Sequence, residues 1–138
     1  MAINFINTTA GALALLNDAV NWQASLGGDW TLRLFSNNVT INDASTIGSV
    51  VEAVFTGYSP IVPSWATPTL VGGVPTRVGS TVTWTYSGGS TYTVYGIFMT
   101  DAANTVMLGA ANFPAPVVLS VAQPSYSAQV NFTSISQY

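Results

Sequence analysis

The sequence predicts an all-β protein, either a β-sandwich or a jelly-roll-like domain of about seven or eight strands, with one helix near the N-terminus. Short runs of β-branched and aromatic residues follow one another at close spacing, and turns containing glycine or proline separate them. No fixed-period repeat or change in composition divides the 138 residues. We therefore expect one domain, with an N-terminal arm and helix over 1–28 and a β core over 29–138.

The most apolar run is Tyr92–Thr100, and it supplies a further observation for this fold class. Its apolar side chains fall on both faces, which is typical of a strand covered on both sides in the middle of a sandwich. Gly96 has no side chain, so we expect a bulky group to cross the sheet there. The turn Asp101–Asn104 and the run Thr105–Ala111 complete a predicted hairpin.

The N-terminal region combines an extended arm with the one predicted helix. Met1–Asn7 is short and apolar and is predicted to be an arm or an edge strand. Apolar residues then recur at helical spacing over Ala10–Gln23, after a possible cap at Thr8 or Thr9 and before the stop at Gly27–Gly28. This helix either packs across one end of the sandwich, which we favour, or serves as a docking surface.

Two strands are predicted in the first half of the β core. In Trp30–Ser36, the side chains of Trp30, Leu32 and Leu34 share one face and Arg33 lies on the other, and Asn37–Asn38 marks a turn. Val50–Thr56 is the next strand candidate. Prolines make Ser59–Thr69 irregular or edge-like, because proline cannot donate a hydrogen bond to a neighbouring strand.

The second half of the core contains a predicted meander. Ser80–Tyr86 alternates apolar and polar residues, and the flexible turn Ser87–Ser90 leads into Tyr92–Thr100 and then Thr105–Ala111. The prolines of Phe113–Pro116 are expected to break the pattern, and two further strands are predicted at Val117–Val121 and Ala128–Ile135.

Charged residues make up 5% of the chain, against about a quarter in an ordinary soluble domain. A surface so poor in charge indicates either an unusual solvent or, as we favour, a surface that neighbouring subunits largely cover, because the cores of permanent interfaces are depleted in charge. Two arginines and a net charge of −3 argue against nucleic-acid binding, which needs clustered cations. We expect no membrane-spanning helix, because the chain lacks an uninterrupted run of about 18 to 20 apolar residues.

The residues needed for common catalytic chemistry are missing. Without histidine, lysine or cysteine, the chain has no Ser-His pair, no Ser-Lys pair and no thiolate nucleophile. Glu52 and Asp101 are the candidates for a carboxylate pair, but nothing in the sequence brings them together. Calcium binding by Asp43 and Asp101 lacks the D-x-D-x-D-G spacing. We therefore predict a protein that is not an enzyme and holds no metal or cofactor.

Three residues are candidates for specific contacts. Arg33 and Glu52 lie on neighbouring predicted strands, and an ion pair between them is expected to fix strand register or an interface. Trp65 lies in the proline-rich segment and is the tryptophan we expect to be exposed as a contact. The other aromatic residues are expected in the core and in interfaces, and a carbohydrate-binding platform is the alternative.

Three stretches carry a resemblance to a known group of proteins. They are Leu32–Asn38, Glu52–Pro60 and Val94–Ala102. In order and spacing they resemble small proteins encoded among the virion genes of tailed double-stranded DNA bacteriophages. The likeness extends roughly from Trp30 to the C-terminus and consists of strand and turn patterns without a catalytic signature.

The resemblance implies a non-enzymatic structural protein located in the virion. A small β-domain of this kind is similar to a capsid cement or decoration protein, which would stabilise the shell by clamping adjacent capsomers. We then expect a homo-oligomer, a trimer being favoured, with the major capsid protein as its partner. A tail, neck, or fibre or spike component is the second interpretation, and a carbohydrate-binding module is the alternative from a different class.

Overall fold

The computed structural model describes residues 2–4, 6–8, 30–64, 66, 69–72 and 74–133. These residues form nine β-strands and one turn of 3-10 helix, so the predicted all-β class is confirmed. The predicted helix over 10–23 and the candidate contact Trp65 lie outside the described residues. The strands are β1 (Ala2–Asn4), β2 (Ile6–Asn7), β3 (Thr31–Phe35), β4 (Thr69–Val71), β5 (Val74–Val78), β6 (Val82–Thr85), β7 (Tyr92–Thr100), β8 (Met107–Leu119) and β9 (Ser125–Thr133), and the 3-10 turn is Ile47–Ser49.

The strands form two sheets. The first sheet has the order β1-β9-β5-β4, and β6 also pairs with β9. The second has the order β2-β8-β7-β3. The described pairs are antiparallel, apart from the parallel pair of β1 and β9. The N-terminal arm therefore contributes one short strand to each sheet, in agreement with the edge strand predicted for it.

Strands β5 and β6 pair with successive parts of β9, and a bulge separates the two pairings. Val78 lies opposite Asn131 and Val82 lies opposite Ala128, so residues 79–81 face only 129 and 130. The Gly79 N–H donates to the Val130 carbonyl at 2.9 Å inside this irregularity. An extra residue on one strand bends it and increases its twist, which lets β5 and β6 share β9 despite their change of register.

The predicted three-stranded meander is wrong, because β6 pairs with β9 and not with β7. Residues 87–91 instead carry the chain from the first sheet to the second. The Tyr86 hydroxyl donates to the Ser90 carbonyl within this connection, and a side chain at Gly88 would overlap the Tyr86 ring. The connection thus wraps around the buried ring of Tyr86. A glycine-rich turn sequence is equally compatible with a hairpin, so the sequence alone does not predict this path.

The predicted hairpin of β7 and β8 is present, but β8 is longer than expected. It continues as far as Leu119, through the prolines of residues 113–116, where the sequence predicts a break. Pairing is interrupted there: between Val94 and Gly96 of β7 one residue opposes the four residues 113–116. Proline has no N–H to donate, so both prolines lie where β8 leaves the ladder.

The core has two parts, one on each side of the second sheet. The larger cluster of buried apolar side chains draws its members from both sheets, and the smaller cluster lies under residues 39–50. Leu32 and Leu34 of β3 belong to the larger cluster and Phe35 to the smaller, so β3 is buried on both faces. The Phe35 ring lies over Gly96, which is the bulky group expected at that position.

Candidate functional site

Arg33 and Glu52, the pair expected from the sequence, meet at the outer edge of β3. Arg33 Nη1 lies 2.8 Å from Glu52 Oε1 and 3.1 Å from Oε2, and the two side chains are 12% and 29% exposed. Arg33 Nε donates to Thr100 Oγ1 of β7 at 3.1 Å. The guanidinium therefore connects β7, β3 and the segment that carries Glu52.

Tyr58 is a third member of this cluster, and no sequence pattern singles it out. Its hydroxyl accepts a hydrogen bond from the Leu34 N–H at 3.1 Å and donates one to Glu52 Oε1 at 2.9 Å. Burial raises the pKa of the Tyr58 hydroxyl far above its ordinary value, and the neighbouring Glu52 carboxylate raises it further. The hydroxyl is thus held protonated, as a donor to Glu52.

The cluster lies where the chain leaves β3 after residue 53 and returns to it at Ile61. Residues 51–53 bond to the strand through Ser36 N to Val51 O at 2.9 Å and Ala53 N to Leu34 O at 2.8 Å. Residues 54–60 then leave the strand, and Ile61 returns to pair with Leu32. Between these two contacts with β3, the Leu34 N–H donates its hydrogen bond to the Tyr58 hydroxyl. We name this segment, residues 51–61, the β3 flank.

The strand predicted over 50–56 is therefore wrong. Only an isolated bridge between Glu52 and Phe35 is formed there. The next N–H along the chain, that of Val54, donates to the Tyr92 hydroxyl at 2.9 Å instead of to a strand. A positive φ of 93° at Gly57 turns the chain back toward β3.

Two asparagines hold the loop that precedes the β3 flank against the second sheet. Asn37 accepts the Val51 N–H at 2.8 Å and donates to the Ser49 carbonyl at 3.0 Å, which closes the base of the loop. Asn112 of β8 accepts the Ile41 N–H at 2.8 Å and donates to the Val39 carbonyl at 2.6 Å. Each side-chain amide thus stands in for a backbone partner, and the loop covers the smaller core cluster.

The second candidate carboxylate, Asp101, is occupied by the turn between β7 and β8. Its Oδ1 accepts the N–H groups of Thr105 at 2.7 Å and Val106 at 3.0 Å, and its Oδ2 accepts the Thr105 hydroxyl. Burial acts to raise the pKa of Asp101, but these hydrogen bonds outweigh it and lower the pKa below the ordinary 3.8. Both carboxylates considered for acid–base chemistry therefore have structural partners.

The described tryptophans are buried in the core and do not form a platform. Trp30 and Trp84 both belong to the larger cluster, and Trp84 Nε1 donates to the Ser59 carbonyl at 3.1 Å. The ring of Phe55 has the rings of Tyr58, Tyr86 and Tyr92 around it, with centroids 5.1 to 5.8 Å away. In this part of the chain the aromatic residues therefore serve packing.

Large aliphatic side chains stand exposed at several places on the surface. Val54 of the β3 flank is 80% exposed, Leu70 of the edge strand β4 is 72% exposed, and Val121 between β8 and β9 is 75% exposed. Val51, Val62, Val71 and Val118 are exposed as well. The charges near the β3 flank neutralise one another in the Arg33–Glu52 pair. The surface thus offers aliphatic contact area with little local charge.

Neither a metal centre nor a spanning helix is found among the described residues. No group of three or more acidic residues in this part of the chain is placed to hold a metal ion. Within the same residues, no helix has the length and hydropathy needed to cross a membrane.

Comparison with known proteins returned no match, either to family models, to curated proteins or to solved structures.

Proposed function

We propose that the chain is a non-enzymatic structural component of a tailed double-stranded DNA phage particle, where it acts as a capsid cement or decoration protein. The observation that carries the proposal is the surface, on which aliphatic side chains stand exposed while Arg33, Glu52 and Asp101 are engaged within the fold. Such a surface is typical of a component that its neighbours cover.

We also propose that the two sheets pack face to face as a β-sandwich. Two sheets that contribute to one buried cluster support a β-sandwich, with a jelly-roll-like arrangement as the specific form. A rigid sandwich of this kind would hold its surface loops and edges in fixed positions against a shell. The hydrogen-bonded loop of residues 37–51 and the β3 flank are the described parts best suited to such contacts.

The proposed partners are the major capsid protein and further copies of this chain, with a trimer as the expected oligomer. An aliphatic surface with little local charge repels a second copy of itself only weakly, whereas a surface dense in one charge would repel it strongly. Val54, Leu70 and Val121 are exposed on three different elements, so contact with a sister copy at one of them leaves the others for contact with the shell.

Two measurements on the purified chain test the proposal. Light scattering after size exclusion, across a concentration series, is expected to show a trimer or a larger assembly. Co-sedimentation with empty shells of the major capsid protein from the same genome is expected to show saturable binding. A monomer at every concentration, with no shell binding and with fluorescence quenching by glycans, would instead favour the carbohydrate-binding module. Binding to purified tails or necks but not to shells would favour the tail or neck interpretation.

Substitutions that add a single negative charge at chosen surface positions make the test specific. Val54→Asp, Leu70→Asp and Val121→Asp each place one negative charge on an exposed aliphatic position. Thr81→Asp places the same charge on an exposed polar position and serves as the matched control. We expect at least one aliphatic variant to lose assembly or shell binding while its circular dichroism spectrum is unchanged. Equal losses for Thr81→Asp would show a general effect of charge and not an interface.

A further inference from the structure

We infer that the edges of β8 and β9 form an acceptor site for the N-terminal arm of a second copy of this chain, so that neighbouring copies exchange arms. The arm is residues 2–4 and 6–8, and the acceptor site is the pair of strand edges that these residues occupy. This inference goes beyond the proposed function, because it needs only two copies of the chain and no phage shell.

The arm binds through backbone pairing to both sheets in turn. Strand β1 runs parallel to β9, with Ile3 opposite Val130, and β2 runs antiparallel to β8, with Ile6 opposite Ala110. Thr8 then lies fully buried, and its hydroxyl donates to the Met107 carbonyl at 2.6 Å. An arm of this kind joins the two sheets at one side of the protein.

The same contacts can form with an arm from another copy. The described pairing of the arm is to strand edges more than 100 residues away in sequence, at 109–110 and 129–131. Residues 9–29 join the arm to the rest of the chain, and a segment of that length reaches roughly 70 Å when fully extended. Exchange of an identical element preserves the strand pairing and the Thr8 hydrogen bond of the arm and is a low-cost route to an oligomer.

The chemistry of the acceptor site favours a second copy over an unrelated strand. Residues 1–8 carry no charged side chain, and neither do residues 107–111 and 128–133 of the acceptor strands. Copies therefore meet at this site without repulsion. The buried Thr8 hydroxyl adds a side-chain contact that matches this arm to this site. The edges of β8 and β9 would otherwise expose unpaired backbone groups, which is a liability in any sheet.

Disulfide trapping tests the exchange directly, because the chain contains no cysteine of its own. Ile6→Cys and Ala110→Cys place thiols at paired positions of β2 and β8. The double variant in one chain shows whether the pair cross-links at all. A mixture of the two single variants forms the 6–110 bond only when the arm of one copy occupies the acceptor site of another. Ala102→Cys, at an exposed position of the β7–β8 turn, replaces Ala110→Cys in the control mixture.

We expect the Ile6→Cys and Ala110→Cys mixture to give cross-linked heterodimer at roughly ten times the level of the Ala102→Cys mixture, because docking raises the effective concentration of the two thiols. An intrachain bond in the double variant without heterodimer in the mixture would overturn the exchange. No bond in either sample, with the fold intact by circular dichroism, would overturn the arm register itself. Asn4→Cys with Asn131→Cys, paired between β1 and β9, repeats the test should Ala110→Cys not fold.

Shell binding is measured on the same variants under reducing conditions. Variants that bind shells but form no interchain bond would contradict only the arm exchange. Variants that exchange arms but do not bind shells would contradict only the proposed function.

Discussion

The Arg33 guanidinium and the Glu52 carboxylate meet at 2.8 Å on the outer edge of β3. The pair does not stand alone, because Arg33 also bonds to Thr100 and Glu52 also accepts the Tyr58 hydroxyl. It ties the β3 flank to two neighbouring strands. Whether the pair sets the register of this segment or an interface stays a prediction, which substitutions can test.

Breaking the ion pair is expected to destabilise the fold. Arg33→Gln and Glu52→Gln each leave the other charge partly buried without its partner, and we expect each to lower the free energy of unfolding by about 1 to 2 kcal/mol. The double variant should lose less than the sum of the two. Urea unfolding measures all three. Reversing both charges, in Arg33→Glu with Glu52→Arg, should restore part of the stability, and a double variant that loses the full sum would show that the residues are not coupled.

Removing the Tyr58 hydroxyl should cost stability, whereas removing another buried hydroxyl should not. Tyr58→Phe leaves the Leu34 N–H and one Glu52 oxygen without this partner, and we expect a loss of about 1 to 2 kcal/mol. The Tyr126 hydroxyl is buried and has no hydrogen-bond partner among the described residues. Tyr126→Phe is therefore the matched control and should be neutral or stabilising. Equal losses in urea unfolding would contradict the role assigned to Tyr58.

The turn at Asp101 should make stability depend on pH in the acidic range. Because the folded protein lowers the pKa of Asp101 below its ordinary 3.8, ionised Asp101 favours folding. This contribution is fully present above that ordinary value and is lost as the pH falls through the lower folded pKa. Asp101→Asn should show a smaller loss of stability between neutral pH and the acidic limit, measured by thermal unfolding across pH.

Thr105→Val is the companion variant for this turn. It keeps the Asp101 carboxylate but removes the hydroxyl that donates to it, so the pKa of Asp101 should rise toward its ordinary value. Titration of the carboxyl carbon by NMR measures this directly. An unchanged pKa in Thr105→Val would show that the hydroxyl does not contribute to the shift.

Gly96 should tolerate no side chain. A methyl group there would overlap both the Phe35 ring and the Ala111 carbonyl, and the carbonyl belongs to the paired strand and cannot move aside cheaply. We expect Gly96→Ala to cost more than about 3 kcal/mol or to prevent folding. Gly89→Ala, where an added methyl meets no atom within 4 Å, should change stability little. Comparable melting temperatures for the two variants would refute the close approach.

Local pattern was enough to predict much of the second sheet. The runs that became β3 and β7, the hairpin into β8 and the crowding at Gly96 all follow from side-chain type and from which faces of a strand are apolar. Alternation reports burial of a strand's faces because successive side chains point to opposite sides. It does not report which strand lies alongside, and for that reason the sequence predicts a pairing of β6 with β7 although β6 pairs with β9.

The sequence by itself determined the all-β class, the scarcity of charge, the absence of the common catalytic residue types and the candidacy of Arg33 and Glu52 as a pair. Tertiary structure alone decided that Tyr58 completes that pair, that Asn112 holds a loop more than 70 residues away, and that the N-terminal arm joins both sheets. The physical reason is the range of the interactions. Propensity and periodicity act between near neighbours, whereas these contacts depend on the path of the whole chain, which burial of the core selects.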